Sequence, residues 1–164
     1  MQPITGLWVS PVKRTLQTMA PLAAKTGLSP RVHTRCFEAG GIYDADPTYT
    51  SFEPRGGLSR AAMSEMFPTY EIPPTVTEDG WYQGGGRESD DACRARAAEV
   101  VAEFKEYAAA LAANEQVVLV VHYDFICAFL DALVVPAAGA IGEFTNWKNF
   151  NTGGLLRLPA SLPH

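Results

Sequence analysis

One junction constrains this chain more than any other. The apolar, β-rich run Ile4–Val9 leads directly into Ser10-Pro11-Val12-Lys13-Arg14-Thr15-Leu16-Gln17-Thr18. The first part reads as a buried strand. The pattern predicts a helix from Pro11 to about Thr26, stopped by Gly27, with Leu16, Met19, Ala20 and Ala23 on one face. Ser10 is expected to cap that helix and Pro11 to fill its first position, where a missing N–H costs nothing. A helix N-terminus attracts anions through its free N–H groups and its dipole, and Arg14 adds a guanidinium fork suited to phosphate. The chain therefore opens on half of a phosphate site, and the other half is expected from residues ahead of Met1.

At 164 residues the chain suits a single domain spanning 1–164. A net charge of −5, with no Lys/Arg cluster, speaks against a nucleic-acid partner. An anionic ligand must be drawn by a local pocket and not by the overall field. Cys36, Cys93 and Cys127 are odd in number, and neither CxxC nor a Cys/His zinc pattern is present. No metal or other cofactor is expected, and a reducing, cytoplasmic compartment is. No basic-then-apolar leader opens the chain, and no apolar run approaches the ~18 residues that span a bilayer, so no membrane partner is expected. The apolar stretch Val117 to Val121 is strand-sized.

Further along, Arg31-Val32-His33-Thr34-Arg35 reads as a short, charged edge strand. A loop-rich insertion of about 39–88 follows, rich in Gly, Pro and aromatic residues, with one helix around Ser59 to Phe67. Such a segment in a small domain is either a functional lid or holds elements that the pattern does not reveal. Ser89 then caps the longest helix, with Asp90 and Asp91 favourable to its dipole and Cys93, Ala97, Val100, Phe104, Ala108 and Leu111 as its apolar stripe. Gln116 to Val121 is a strand, His122 ends it, and Asp124 to Val134 is a largely apolar helix. After Pro136, Asn151-Thr152-Gly153-Gly154 leads into a last strand, Leu155 to Leu158. Strand–helix alternation of this kind predicts an α/β fold: a three-layer α/β/α sandwich around a mainly parallel sheet.

Ser10–Arg14 and His122–Asp124 both lie where a buried strand hands over to a helix, the end of an open α/β sheet where ligands bind. Taken singly, Arg14 also reads as a solvated helix arginine, His122 as a satisfied core histidine and Glu38 as a loop carboxylate in water. Taken together, they resemble a family. Ser10-Pro-x-x-Arg14-x-x-Gln17-Thr18 is similar to the second signature of the histidine phosphatase superfamily, which includes the phosphoglycerate mutases. Phe37-Glu38 before Gly40-Gly41 resembles the segment carrying that family's acidic proton donor. Val117–His122 resembles the strand ending in its second active-site histidine, and Asn151-Thr152-Gly153 resembles its closing element.

The resemblance implies roles residue by residue. Arg14 would clamp a phosphoryl group, and His122 would hydrogen-bond a phosphoryl oxygen. Glu38 would protonate the leaving oxygen and then activate water, work that needs a raised pKa. Tyr123 stands where the family usually has glycine, close to the phosphate, and would either narrow that pocket or swing away from it. The family's nucleophile is a histidine in an Arg-His-Gly segment on a first strand, and no such segment occurs here. His33 sits in a Val-His-Thr context and His164 is the last residue.

The expectation is therefore a phosphomonoester hydrolase-like protein, inactive as given, binding a phosphorylated small molecule or inorganic phosphate. A mis-assigned start codon or an experimentally shortened chain would account for the missing segment. The alternatives are a natural pseudoenzyme that binds a phosphorylated ligand or partner, and a phosphoglycerate mutase-type phosphotransferase. A Cys–His hydrolase using Cys36 or Cys127 with His122 is disfavoured, because Cys127 faces the expected core and lacks a third partner. The resemblance also places the missing first strand between the strands ending at Ser10 and His122. Its loss would leave those two to close directly on each other, to borrow a segment from a second copy, or to pack poorly. Self-association into a homo-oligomer is the favoured outcome.

Overall fold

The computed structural model describes residues 3–112 and 114–134. Along them run β1 (Ile4–Val9), α1 (Lys13–Thr26), β2 (Arg31–Val32), β3 (Tyr43–Ala45), β4 (Phe52–Pro54), α2 (Arg60–Met66), α3 (Asp90–Ala109), β5 (Gln116–Val120) and α4 (Tyr123–Val134). The main sheet has the order β2-β1-β5, and both pairings are parallel. Parallel neighbours need crossovers, and α1 and the long segment through α3 supply them.

Period-2 alternation divides each strand between two cores. Leu7 and Val9 pack with Leu16, Met19 and Ala23 of α1 and with Met63, Phe67, Val76 and Trp81, and Val118 and Val120 of β5 join them. On the opposite face Leu119 and Val121 meet Cys93, Ala97 and Val100 of α3 and Phe125, Phe129 and Leu133 of α4. Helices thus cover both faces of a parallel sheet, and the three-layer α/β/α arrangement is present.

Several local expectations need correction. Ser10 does not cap α1: the helix starts at Lys13, the N-cap position falls to Val12, and no side chain caps it. The Ser10 hydroxyl is engaged elsewhere, with His122. The predicted strand 31–35 stops after Val32. His33 still donates its N–H to Val9 O at 2.9 Å, but Cys36 N–H then turns back onto His33 O at 3.0 Å. The segment 39–88 also contains an antiparallel hairpin of β3 and β4 that was not foreseen. Its turn is held by Asp46, whose carboxylate accepts from the Thr50 and Ser51 amides, each at 2.7 Å. Ser89 caps α3 as expected, accepting from the Ala92 amide, and Ser59 likewise caps α2, accepting from the Ala62 amide.

The largest correction concerns the sheet. β1 and β5 pair directly with each other, from Ile4↔Gln116 to Val9↔Val120, so no place for a strand lies between them. Within the chain the two strands close directly on each other, one of the three outcomes considered. The expected strand 155–158 lies outside the described residues.

Candidate active site

Because β1 and β5 are parallel and in register at their C-terminal ends, the residues just beyond them emerge side by side. The Ser10 N–H donates to Val120 O at 3.0 Å. His122 follows β5 and is 5% exposed, and its carbonyl accepts the Ile126 N–H at 2.8 Å to begin α4. Its ring lies between two partners, with Nε2 2.8 Å from Ser10 Oγ and Nδ1 2.8 Å from Arg14 Nη2. A guanidinium only donates, so Nδ1 carries a lone pair, and Nε2 carries the proton that it gives to Ser10. Burial, then Arg14 and then Arg96, push the imidazole down to about 4, so it is neutral at pH 7. His122 forms the floor of the site, and Arg14 is exposed at its rim.

Glu38 reaches the same place from the other side. Its Oε1 accepts from the Phe125 N–H at 3.1 Å and from its own neighbour, the Ala39 N–H, at 2.9 Å. Phe125 is in the first turn of α4, so Glu38 acts as a capping carboxylate supplied by a distant segment. Burial raises its pKa. The Ala39 and Phe125 amides oppose that, Asp124 adds to it, and Arg14 opposes it, with a net upward shift. The turn that presents it closes through Gly41 N–H on Glu38 O at 3.1 Å, with Gly40 and Gly41 at φ of 91° and 78°. A side chain at Gly41 would also meet the Tyr82 ring, 2.3 Å from an ideal Cβ.

Arg14, Glu38, His122 and Ser10 are thus assembled at the sheet end. Of these, Ser10 was expected only as a helix cap. Its proximity to His122 follows from strand register, which one sequence does not show. Tyr123 opens α4, is 42% exposed and hydrogen-bonds Cys127 one turn on. His33 is not part of the group. It bonds Glu103 at 2.9 Å and stacks on Trp8, with centroids 5.2 Å apart. Asn151-Thr152-Gly153 and His164 lie outside the described residues.

The arrangement restricts the chemistry. His122 cannot act as a base toward Ser10 while its Nε2 already carries the proton, which speaks against a Ser–His nucleophile. Cys36 is buried and its thiol is pushed up to about 12 by that burial, so it offers no thiolate, and the Cys–His reading loses its support there. Cys127 is buried and bonded to Tyr123. Among the described residues no group of three or more His, Cys, Asp or Glu could hold a metal ion. None of their helices is long and apolar enough to cross a membrane. Two open clefts of about 650 and 640 Å³ flank the fold, one around Trp8, Arg31 and Tyr107, the other around Trp81 to Ser89.

No curated protein matches the chain in sequence. A solved structure described as mycobacterial hydrolase 1 is 25% identical with a TM-score of 0.50, over 89% of this chain and 63% of that one. A mycobacterial glucosyl-3-phosphoglycerate phosphatase complexed with VO3 is 26% identical with a TM-score of 0.47, over 84% of this chain and 62% of that one. The chain thus spans less than two thirds of the length of either. The family model of the histidine phosphatase superfamily, branch 1, matches residues 1–152. That match covers most of the sequence, including both strand ends that build the site, and the chain belongs to the histidine phosphatase superfamily.

Proposed function

We propose that this chain carries the phosphate grip and the proton donor of a phosphomonoester hydrolase site. The observation that carries the reading is the convergence of Arg14, His122 and Glu38 where β1 and β5 end. In this reading Arg14 releases His122 and forks onto a phosphoryl group, and His122 hydrogen-bonds one phosphoryl oxygen. In a complete site of the family a histidine nucleophile, which none of these residues supplies, takes the phosphoryl group while Glu38, its pKa raised by burial, protonates the leaving alcohol oxygen. Water then displaces the phosphoryl group from that histidine, and Glu38 takes the water's proton. The substrate is a phosphorylated small molecule, handled in a reducing, cytoplasmic setting that suits three buried free cysteines.

The 164 residues include three histidines, none in an Arg-His-Gly context. His122 is fixed by Ser10 and Arg14, and His33 by Glu103. We propose that the chain as it stands binds phosphate but forms no phosphohistidine. The test is phosphate release from an aryl phosphate by highly purified protein, with Arg14→Ala as control, alongside a phosphohistidine assay. Release that Arg14→Ala abolishes would mean that a nucleophile has been misplaced. A phosphohistidine that passes its phosphoryl group to a sugar acid phosphate would favour the mutase-type reading. Phosphate binding without turnover, persisting in a chain extended upstream, would favour the pseudoenzyme.

A further inference from the structure

We infer that Arg96, in α3, positions Glu38: its guanidinium fastens the backbone immediately before Glu38 and braces the α4 turn whose amide Glu38 accepts. The inference rests on reading Glu38 as the proton donor. Arg96 is only 9% exposed, and all five of its N–H donors find acceptors. Nε and Nη2 clasp the two Glu88 oxygens at 2.7 and 2.6 Å. Nη1 donates to Arg35 O at 2.6 Å and Phe37 O at 3.1 Å, and Nη2 also reaches Cys93 Sγ at 3.5 Å.

The two carbonyls belong to the residues just before Glu38. On the other side of the turn, the Glu88 amide donates to Gly40 O at 3.0 Å. The Glu88–Arg96 pair therefore grips the chain both before and after the carboxylate. The same guanidinium stacks 3.6 Å from the centroid of Phe37 and lies 5.0 Å from that of Phe125. Phe125 is the residue whose N–H meets Glu38. One planar group thus sets the spacing between donor and acceptor of the bond that orients the acid. Lysine keeps the charge but cannot span two carboxylate oxygens and two carbonyls at once. A buried pair so fully bonded is also a plain structural element, so the test must read Glu38 itself.

Nuclear magnetic resonance of the full chain does so, by following the Phe125 amide and the Glu38 carboxyl against pH. In the unaltered chain the Phe125 amide should titrate with Glu38, at a midpoint above the ordinary glutamate value. In Arg96→Lys and Glu88→Gln that titration should be lost from Phe125, and the Glu38 midpoint should move down as the turn opens to water. Retention of both signals in folded Arg96→Lys would overturn the inference. So would their loss in Arg31→Ala, a surface control. If Arg96→Lys does not fold, Glu88→Gln carries the same test with the same two outcomes. Inorganic phosphate affinity, read separately, should stay within about twofold in these variants. Failure of the unaltered chain to bind phosphate would refute the hydrolase reading and leave the positioning result standing.

Discussion

Arg14 holds His122 by its Nδ1 at 2.8 Å, so the imidazole is locked as the Nε2–H tautomer, and burial, then Arg14, keep it neutral. The same guanidinium is the exposed cation an incoming phosphate would meet first. When it turns to the anion, Nδ1 is freed, and the imidazole can then take up a proton. Anion binding and His122 protonation are therefore linked.

Phosphate, sulfate or vanadate should bind beside Arg14 and His122, more tightly as pH falls from 7 toward 5.5, with proton uptake. Losing one charge-assisted contact costs ~1.5–3 kcal/mol, so Arg14→Ala should weaken binding about tenfold or more. Arg31→Ala should do little, since that side chain pairs with Glu71 outside the site. Calorimetry in buffers of different ionisation heat would read both affinity and proton uptake. Equal losses from the two substitutions would reveal a diffuse surface field in place of a pocket.

Stability should fall in mild acid. The His122 pKa is lowered in the folded chain from 6.5 to about 4, so the unfolded chain binds the proton more readily. The stabilisation is complete above 6.5 and is lost as pH falls toward 4, at most about 3 kcal/mol for a shift of this size. His33, lowered to about 4 chiefly by its burial, acts in the same direction. Urea midpoints at pH 7.5, 6 and 5 would show the decline, and His122→Gln should flatten part of it. An unchanged slope in that variant would mean that the imidazole is not neutral as inferred.

Glu38 is expected to distinguish two substitutions. Glu38→Gln keeps an oxygen for the Phe125 N–H and removes a buried charge, so stability at pH 7 should hold or rise. Glu38→Ala leaves that N–H without its acceptor and should cost ~1–2 kcal/mol, as loss of a helix cap does. The raised carboxyl also makes the unaltered chain lose stability as pH climbs from 4.5 through its shifted value, a slope that Gln removes. Thermal unfolding of both variants at pH 5 and 7.5 checks this. Equal damage from Gln and Ala would show that the Phe125 contact is not what holds Glu38.

The βα junctions were legible because each is local. Gly27 stops α1, Ser89 caps α3, and the continuous β-rich run along 116–121 marks a strand. Arg14 and His122 stood out because both fall where such a strand ends. What stayed hidden depends on register or on distant partners. The Ser10–His122 bond spans 112 residues, and Glu38 finds its amide 87 residues away. Arg96 carries no signal in the sequence, since nothing near it announces that Glu88 and two carbonyls will enclose it. The hairpin of β3 and β4 escaped because three-residue strands carry almost no periodicity.

The backbone of β5 leads to the last expectation. Its pairing with β1 uses alternate residues, and the Ser10 N–H on Val120 O sets the phase. Val118 and Val120 therefore turn their amides toward β1, and Val117 and Leu119 turn theirs to the opposite edge. Among the described residues no strand pairs with that edge, and all of β5 is only half-buried. A parallel edge that no described strand covers, with four valines and leucines in a row, is a template for another strand. At low concentration the Val118 and Val120 amides should exchange slowly with solvent and those of Val117 and Leu119 quickly. As concentration rises, light scattering should report self-association, and the Val117 and Leu119 amides should become protected in step with it. Protection of all four in a monomer at every concentration would show that the edge is already covered within one chain. Association without any change at Val117 and Leu119 would place the contact elsewhere on the surface. Either result removes β5 as the source of self-association.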